Sequence, residues 1–164
     1  MVPVLSFVGK ANSGKTTYLE KLVAEMKRRG HKLAIIKHDV HGFEMDHPGK
    51  DTWRHAQAGA DVVCISSPDK MAIIANVEAE LPLSELVNRI HGVDIVITEG
   101  YKHEGRTKIE IFRPPVSDAP VCRQDDLVAI VTDADVYPGL PRFGLDDPAA
   151  MADFIEERFL RGGE

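Results

Sequence analysis

Gly9-Lys10-Ala11-Asn12-Ser13-Gly14-Lys15-Thr16 fits the pattern G-x-x-x-x-G-K-[ST] of a phosphate-binding loop. The apolar run 4–8 before the loop predicts a strand, and the residues after it carry apolar side chains at helical spacing. This is the setting in which such a loop binds phosphates, because its backbone N–H groups and the helix N-terminus face the anion. We therefore expect a nucleoside triphosphate to bind here.

Each part of the loop has an expected role. Gly9 and Gly14 let the backbone turn tightly and approach the α- and β-phosphates. Lys15 is expected to reach the β- and γ-phosphates, and the hydroxyl group of Thr16 is expected to ligate Mg²⁺. The alternative is a plain glycine-rich turn between a strand and a helix, which the full motif in this setting disfavours.

The composition is that of an ordinary globular protein. The chain has 164 residues, 43% hydrophobic and 28% charged, which predicts one domain over residues 1–164. No apolar run approaches the length of a membrane span, and a net charge of −6 argues against a nucleic-acid partner. The two cysteines, Cys64 and Cys122, form neither a disulfide framework nor a metal motif, which favours a reducing cytoplasm. Cys64 lies in an apolar run, so we expect it to be buried in a strand.

Strand and helix patterns alternate along the chain. Apolar runs predict strands at 4–8, 31–37, 60–66, 71–77, 93–98, 108–112 and 127–132. Apolar periodicity and capping signals predict helices at 14–29, 51–58, 83–90 and 149–160. This alternation predicts the α/β three-layer sandwich of P-loop NTPases, a mostly parallel sheet with helices on both faces.

Carboxylates follow two of the predicted strands. In open α/β sheets, ligands bind beyond the carboxyl ends of the strands, where Asp39 and Glu99 lie. Mg²⁺ takes one or two carboxylates besides phosphate oxygens, so Glu99 is the first candidate to complete the Mg²⁺ site with Thr16, and Asp39 is the second. Together with Lys15, these two carboxylates are the candidate catalytic residues. Asp94 opens its strand and should lie at the far edge of the sheet.

A further strand end carries a candidate for base recognition. Thr132-x-x-Asp135 resembles the [NT]-K-x-D element by which many GTPases bind guanine, with Asp133 in place of the lysine. Asp135 would accept hydrogen bonds from the base. The alternative is an ordinary turn aspartate, since aspartate is common in turns.

Four of the seven histidines surround one polar loop, 38–51, and they allow two interpretations. Imidazole is a common ligand of Zn²⁺ and Ni²⁺, which would indicate a metal-delivery protein. However, the spacing completes no standard set of four ligands, which favours anion contacts or solvated side chains. The four are His38, His41, His47 and His55.

The segment 37–52, KHDVHGFEMDHPGKDT, resembles the molybdopterin-guanine dinucleotide biosynthesis adaptor family, MobB. The resemblance continues through Arg54-His55, Ala58-Gly59-Ala60, Thr98-Glu99-Gly100-Tyr101-Lys102 and the strand 108–113. It covers most of the chain. The histidine-containing stretch is far more specific than the phosphate-binding loop, which many unrelated NTPases share.

The resemblance implies a dimeric GTP-binding adaptor with weak GTPase activity, with GTP and Mg²⁺ as cofactors. It would assist a MobA-type molybdenum cofactor guanylyltransferase, which joins GMP to molybdopterin. The implied nucleotide-binding residues are those of the loop and the next threonine: Gly9, Lys10, Ala11, Asn12, Ser13, Gly14, Lys15, Thr16 and Thr17. The segment 37–51 with Lys102 would line a nearby anionic pocket for the pterin, whose candidate residues are His38, His41, Lys50 and Lys102.

Two other functions fit the phosphate-binding loop. A P-loop metallochaperone GTPase would use the histidines around the loop 38–51 to bind a transition metal. A small-molecule kinase would need a lid over its acceptor and an arginine at the γ-phosphate, but Arg54, Arg106 and Arg113 are isolated along the chain.

Overall fold

The computed structural model describes residues 2–104 and 107–161, so Arg106 lies outside the described residues. The chain forms two compact units, one of residues 2–38, 83–104 and 107–161, the other of residues 39–82. The single domain expected from the length stays a prediction, because compactness alone does not decide whether the two units fold separately. Throughout the described ranges, no helix is long and apolar enough to cross a membrane.

The first unit is built on a parallel sheet, which confirms the predicted fold class. Its strands are β1 (Val4–Val8), β2 (Leu33–Lys37), β5 (Ile95–Glu99), β6 (Lys108–Ile111), β7 (Leu127–Val131) and β8 (Arg142–Phe143). In the described residues the strand order is β2-β5-β1-β6-β7-β8, and every neighbouring pair is parallel. The helices are α1 (Lys15–Arg28), α3 (Leu83–Asn88) and α4 (Pro148–Ile155), the last continued by a π-helical segment, Glu156–Leu160.

Helices α1 and α4 pack together over one face of this sheet. Apolar side chains that repeat along α1, such as Leu22 and Met26, are fully buried, and so is Met151 of α4. They belong to one hydrophobic cluster with alternate residues of the strands. Helix α4 begins as its sequence predicts, because the side chain of Asp147 accepts a hydrogen bond from Ala150 N–H and Pro148 occupies the first turn. This face holds the main hydrophobic core.

The alternating sequence of β6 does not mark a solvent-exposed face. Glu110 is buried, and its carboxylate accepts hydrogen bonds from the backbone N–H groups of Val121, at 2.6 Å, and Cys122, at 2.9 Å. A buried carboxylate is costly unless such donors satisfy it. The proline-rich segment 113–123 therefore folds back to Glu110, which gives that segment a structural role.

The second unit contains α2 (Asp51–Gln57) and an antiparallel pair of strands, β3 (Val62–Ser66) and β4 (Met71–Ala75). The prediction that Cys64 is buried is wrong, because its side chain is exposed. Cys64 lies opposite Ile73 in this two-stranded sheet, and Ile73 is also exposed, at 58%. An apolar run indicates burial only where layers cover both faces, as in the large parallel sheet.

An ion-pair network fastens α1 to the C-terminal helical segment. Arg29, which follows α1, donates to Glu25 at 2.7 Å, to Asp153 at 2.6 Å and to Glu156 at 3.1 Å. Hydrogen bonds from Arg28 and Arg29 lower the pKa of Glu25 to about 2. A hydrogen bond from His31 lowers the pKa of Glu156, and Arg29 adds to this effect. The network thus depends on ionised carboxylates.

We expect Arg29→Met to lower the melting temperature by about 2–4 °C, since it removes several charge-assisted contacts but keeps an apolar stem. Because the pKa of Glu156 is lowered in the folded protein, its stabilisation is present above the ordinary value of 4.5 and is lost as the pH falls below it. The difference between wild type and Arg29→Met should therefore shrink in acid, as measured by thermal unfolding at several pH values.

Arg28→Met is the matched control for this prediction. Among the residues that the structure describes, Arg28 pairs only with Glu25. Its side chain is 72% exposed, against 18% for Arg29, so its replacement should change the melting temperature little. Equal losses for the two variants would contradict a special role of Arg29.

Candidate nucleotide-binding site

The phosphate-binding loop lies where the sequence predicts it, between the end of β1 and the start of α1. A Cβ atom at Gly9 would lie 2.5 Å from the carbonyl oxygen of Ile111, so only glycine fits against β6 at this point. Gly14 has φ 91° and precedes the first residue of α1, a left-handed conformation that favours glycine. Asn12 also has a positive φ, 63°. The glycine spacing of the motif thus has a steric cause in this fold.

Lys15 folds back over its own loop. Its ammonium group donates hydrogen bonds to the carbonyl oxygens of Lys10, at 2.8 Å, and Gly9, at 3.2 Å. Partial burial lowers the pKa of Lys15; the negative charge of Glu99 opposes this effect, while the positive charges of Lys102 and Lys37 add to it. Lys15, Lys37 and Lys102 therefore supply positive charge to the same region, which suits a polyanionic ligand.

Two features of the loop fit a phosphate group. The Ser13 hydroxyl is buried, and within the described residues it has no hydrogen-bond partner. No side chain caps the N-terminus of α1, and no acidic residue lies in its first turn. A buried polar group without a partner is costly, and an uncapped helix N-terminus attracts anions, so a bound phosphate would satisfy both.

Thr16 and Glu99 meet at the mouth of the loop. The Thr16 hydroxyl donates a hydrogen bond to Glu99 Oε1 at 2.7 Å. Glu99 is the last residue of β5 and pairs with Phe7 of β1, so the parallel register brings it beside the loop. A hydroxyl and a carboxylate offer the oxygen ligands that Mg²⁺ prefers, and this pair therefore fits the metal expected with a triphosphate.

The other two carboxylates considered in the sequence analysis are those of Asp94 and Asp39. Asp94 Oδ2 accepts a hydrogen bond from Lys32 N–H at 2.7 Å, just before β2 and β5 begin, as expected for a residue at the far edge of the sheet. Asp39 is the first residue of the second unit, and its carboxylate accepts from His41 N–H at 3.0 Å. A role for Asp39 in catalysis or Mg²⁺ binding stays a prediction.

The proposed guanine-binding element follows β7. Thr132 is buried, and its hydroxyl accepts a hydrogen bond from Ala134 N–H, which fixes the turn. The side chain of Asp135 is 97% exposed and accepts a hydrogen bond from Arg142 at 2.8 Å. The Asp133 carboxylate accepts a weaker one from Leu145 N–H at 3.3 Å. Asp135 is therefore accessible to a base, and guanine recognition by this residue stays a prediction.

The residues of the predicted anionic pocket belong to both units. His38 and Lys102 lie in the first unit, and His41 and Lys50 lie in the second, so the pocket stays a prediction. As for a transition-metal site, the parts of the chain that the structure describes bring no three His, Cys, Asp or Glu side chains together as a metal-binding group.

The sequence analysis assigned no role to Tyr101. This residue is buried, has φ 55° and stacks on His38, with ring centroids 4.6 Å apart. The signal that could have found it is its place directly after Glu99-Gly100 at the end of a central strand, since residues there line the ligand edge of a parallel sheet.

Comparison with known proteins matches residues 4–133 to the family described as "Molybdopterin guanine dinucleotide synthesis protein B", MobB. The molybdopterin-guanine dinucleotide biosynthesis adapter protein of Escherichia coli K12 is 31% identical over 163 residues, covering 96% of this chain and 93% of the relative. The protein of the same name from Haemophilus influenzae is 32% identical over 158 residues, covering 94% and 88%.

Solved structures agree with the sequence comparison. A crystal structure of Bacillus subtilis MobB superimposes with a TM-score of 0.74 at 27% identity, covering 99% of both chains. A crystal structure of a molybdopterin-guanine biosynthesis protein B gives a TM-score of 0.72 at 29% identity, covering 94% of this chain and 98% of the other. With the family match over residues 4–133 and near full-length relatives above 30% identity, the chain belongs to the MobB family.

Proposed function

We propose that this chain is a GTP-binding adapter protein in the biosynthesis of molybdopterin guanine dinucleotide. The observation that carries the proposal is the 2.7 Å contact between Thr16 and Glu99 at the mouth of a complete phosphate-binding loop. The pathway is inferred from the names of the relatives, and the binding of a nucleotide is inferred from the chemistry of the loop.

The chain's own residues account for binding of the triphosphate. The buried Ser13 hydroxyl, which has no partner among the described residues, can donate to a phosphate oxygen, and N–H groups of the loop would add further donors. Lys15 can exchange its two carbonyl partners for phosphate oxygens. Thr16 and Glu99 would hold Mg²⁺, which neutralises charge on the β- and γ-phosphates when it is bound. Lys37 and Lys102 add positive charge near the phosphates.

Weak GTPase activity is part of this proposal. Lys15 would stabilise the negative charge that develops during hydrolysis, and the Glu99 carboxylate would act beside it at the mouth of the loop. In an adapter, slow hydrolysis would limit the lifetime of the GTP-bound form. The partner in that form would be a molybdenum cofactor guanylyltransferase handling molybdopterin.

We expect GTP with Mg²⁺ to raise the melting temperature, because a ligand at about 100 times its dissociation constant adds about 2.7 kcal/mol to the stability of the folded state. Lys15→Ala should abolish most of this shift, since it removes charge-assisted hydrogen bonds worth about 1.5–3 kcal/mol each. Thermal unfolding with and without GTP and Mg²⁺ measures both effects.

Lys32→Ala is the matched control, because Lys32 precedes β2 at the opposite edge of the sheet. It should keep the full shift. A full shift in Lys15→Ala as well would show that the loop does not bind the nucleotide.

We expect GTP to bind more tightly than ATP, through Asp135. A bidentate contact from a carboxylate to guanine would discriminate by about 1–3 kcal/mol, by analogy with base recognition in nucleic acids. Asp135→Ala should therefore bind GTP and ATP with similar affinity, as measured by competition against a fluorescent guanine nucleotide. Equal competition by ATP and GTP in the wild type would contradict the preference itself, whereas an unchanged preference in Asp135→Ala would assign it to other residues.

We further propose that the chain forms a homodimer through the exposed face of the β3–β4 hairpin. Met71, Ile73 and Val62 are 58–65% exposed, and the register places Cys64 opposite Ile73 on the same face. An isolated two-stranded sheet is marginally stable in water, and a contiguous apolar face of this kind is typical of an interface. A second copy would cover the face with an identical apolar surface.

Ile73→Glu should convert the dimer to a monomer, because a dimer with two-fold symmetry would bury two added charges in an apolar interface. Sedimentation velocity at several protein concentrations measures the state. Ile73→Leu keeps the apolar face and should remain dimeric. A monomeric wild type, or a dimer that survives Ile73→Glu, would rule out this interface.

A further inference from the structure

We infer that His38 and Tyr101 are positioning residues that hold Glu99 for Mg²⁺. This inference rests on the proposed binding of GTP and Mg²⁺, and it adds two residues that do not themselves touch the nucleotide or the metal. The two side chains act on Glu99 through the backbone at the end of β5. They would therefore set the affinity for Mg²⁺ rather than the affinity for GTP.

The backbone around Glu99 is held from two neighbouring strands. The carbonyl oxygen of Glu99 accepts a hydrogen bond from His38 N–H at 3.0 Å, directly after β2. The next N–H group, that of Gly100, donates to the carbonyl oxygen of Phe7 in β1 at 3.0 Å. The carbonyl oxygen of Glu99 and the N–H group of Gly100 belong to the same peptide group, so the peptide group that directly follows the Cα atom of Glu99 is anchored on both sides.

The backbone after this peptide group depends on the residues that follow Glu99. Gly100 has φ 105°, and a Cβ atom there would lie 3.1 Å from the Cβ atom of His38, so His38 packs directly against Gly100. Tyr101 then has φ 55°, a left-handed conformation that is strained for a non-glycine residue such as tyrosine. Such a conformation persists only where its surroundings impose it.

The stack between His38 and Tyr101 holds Tyr101 in this left-handed conformation. Their ring centroids are 4.6 Å apart with an interplanar angle of 28°, and Tyr101 is only 5% exposed. Packing of the tyrosine ring therefore offsets the cost of its backbone conformation, and it holds the segment that directly follows Glu99 at the end of β5. The far end of Glu99 then reaches the Thr16 hydroxyl at 2.7 Å.

Loss of the stack should loosen the segment after Glu99 and leave the phosphate-binding loop intact. The loop is held by contacts of its own, such as the close approach of Gly9 to Ile111, which neither ring makes. Supporting residues behind a metal ligand typically change metal affinity by about 10–100-fold when they are replaced. Binding of Mg²⁺ and binding of GTP can therefore be separated experimentally.

The experiment measures two affinities by isothermal titration calorimetry on the full chain. GTP is titrated in the presence of EDTA, and Mg²⁺ is then titrated into protein saturated with GTP. His38→Ala and Tyr101→Asn remove the stack, and asparagine tolerates the left-handed conformation. His38→Phe and Tyr101→Phe keep two stacked rings.

We expect His38→Ala and Tyr101→Asn to weaken Mg²⁺ binding by about tenfold or more and to leave GTP binding in EDTA nearly unchanged. The two phenylalanine variants should bind Mg²⁺ like the wild type. Tyr137→Asn is the matched control, since Tyr137 is another tyrosine with a positive φ, 54°, and its hydroxyl donates to the Cys122 carbonyl. It should leave both affinities unchanged.

Three results would overturn the inference. Wild-type Mg²⁺ affinity in His38→Ala and Tyr101→Asn would show that the stack does not position Glu99. Equal loss of GTP and Mg²⁺ binding, in proportion to a lower melting temperature, would show a purely structural role. A wild type that binds neither GTP nor Mg²⁺ would reject the proposed function together with the inference. The wild-type titration therefore distinguishes failure of the proposed function from failure of the inference alone.

Discussion

The parallel pairing of β1 with β5 is the constraint on which the site depends. Both strands end at the same edge of the sheet, and the register sets Phe7 beside Glu99, so the loop after β1 meets the carboxylate at the end of β5. A shift of one residue in this register would turn Glu99 to the other face of the sheet. Burial of both strands on both faces makes such a shift costly, and the hydrophobic core thereby fixes the geometry of the polar site.

The sequence predicted the parts of this site that depend on local pattern. The loop motif, the strand before it and the helix after it are contiguous, so Gly9, Lys15 and Thr16 could be placed without knowledge of the fold. Glu99 could be chosen over Asp94 because their positions within one strand decide which edge of the sheet each reaches. The order of the strands is not contained in any local pattern, which is why the contact between Thr16 and Glu99 had to come from the structure.

The β3–β4 hairpin shows where local pattern misleads. Its apolar runs look like those of the parallel sheet, but within its own unit the hairpin is a two-stranded sheet, and Cys64 and Ile73 share an exposed face. The apolar character of a residue indicates that its burial is favourable, but it does not indicate which part of the structure will cover it. Glu110 is the converse case, since its side chain is charged, yet N–H groups from Val121 and Cys122 allow it to be buried.

The backbone strain of the first unit is concentrated in the loops that follow its strands. The non-glycine residues of the described chain with positive φ are Asn12, Tyr101 and Tyr137, which follow β1, β5 and β7. Asparagine tolerates this conformation, whereas a tyrosine there is strained unless its surroundings compensate, so local preference cannot be what holds Tyr101 and Tyr137. For Tyr101 the compensation is the stack on His38, and for Tyr137 it includes the hydrogen bond to Cys122. A sheet whose central strands are buried can sustain this strain in the loops that follow its strands, because tertiary contacts hold those loops in place.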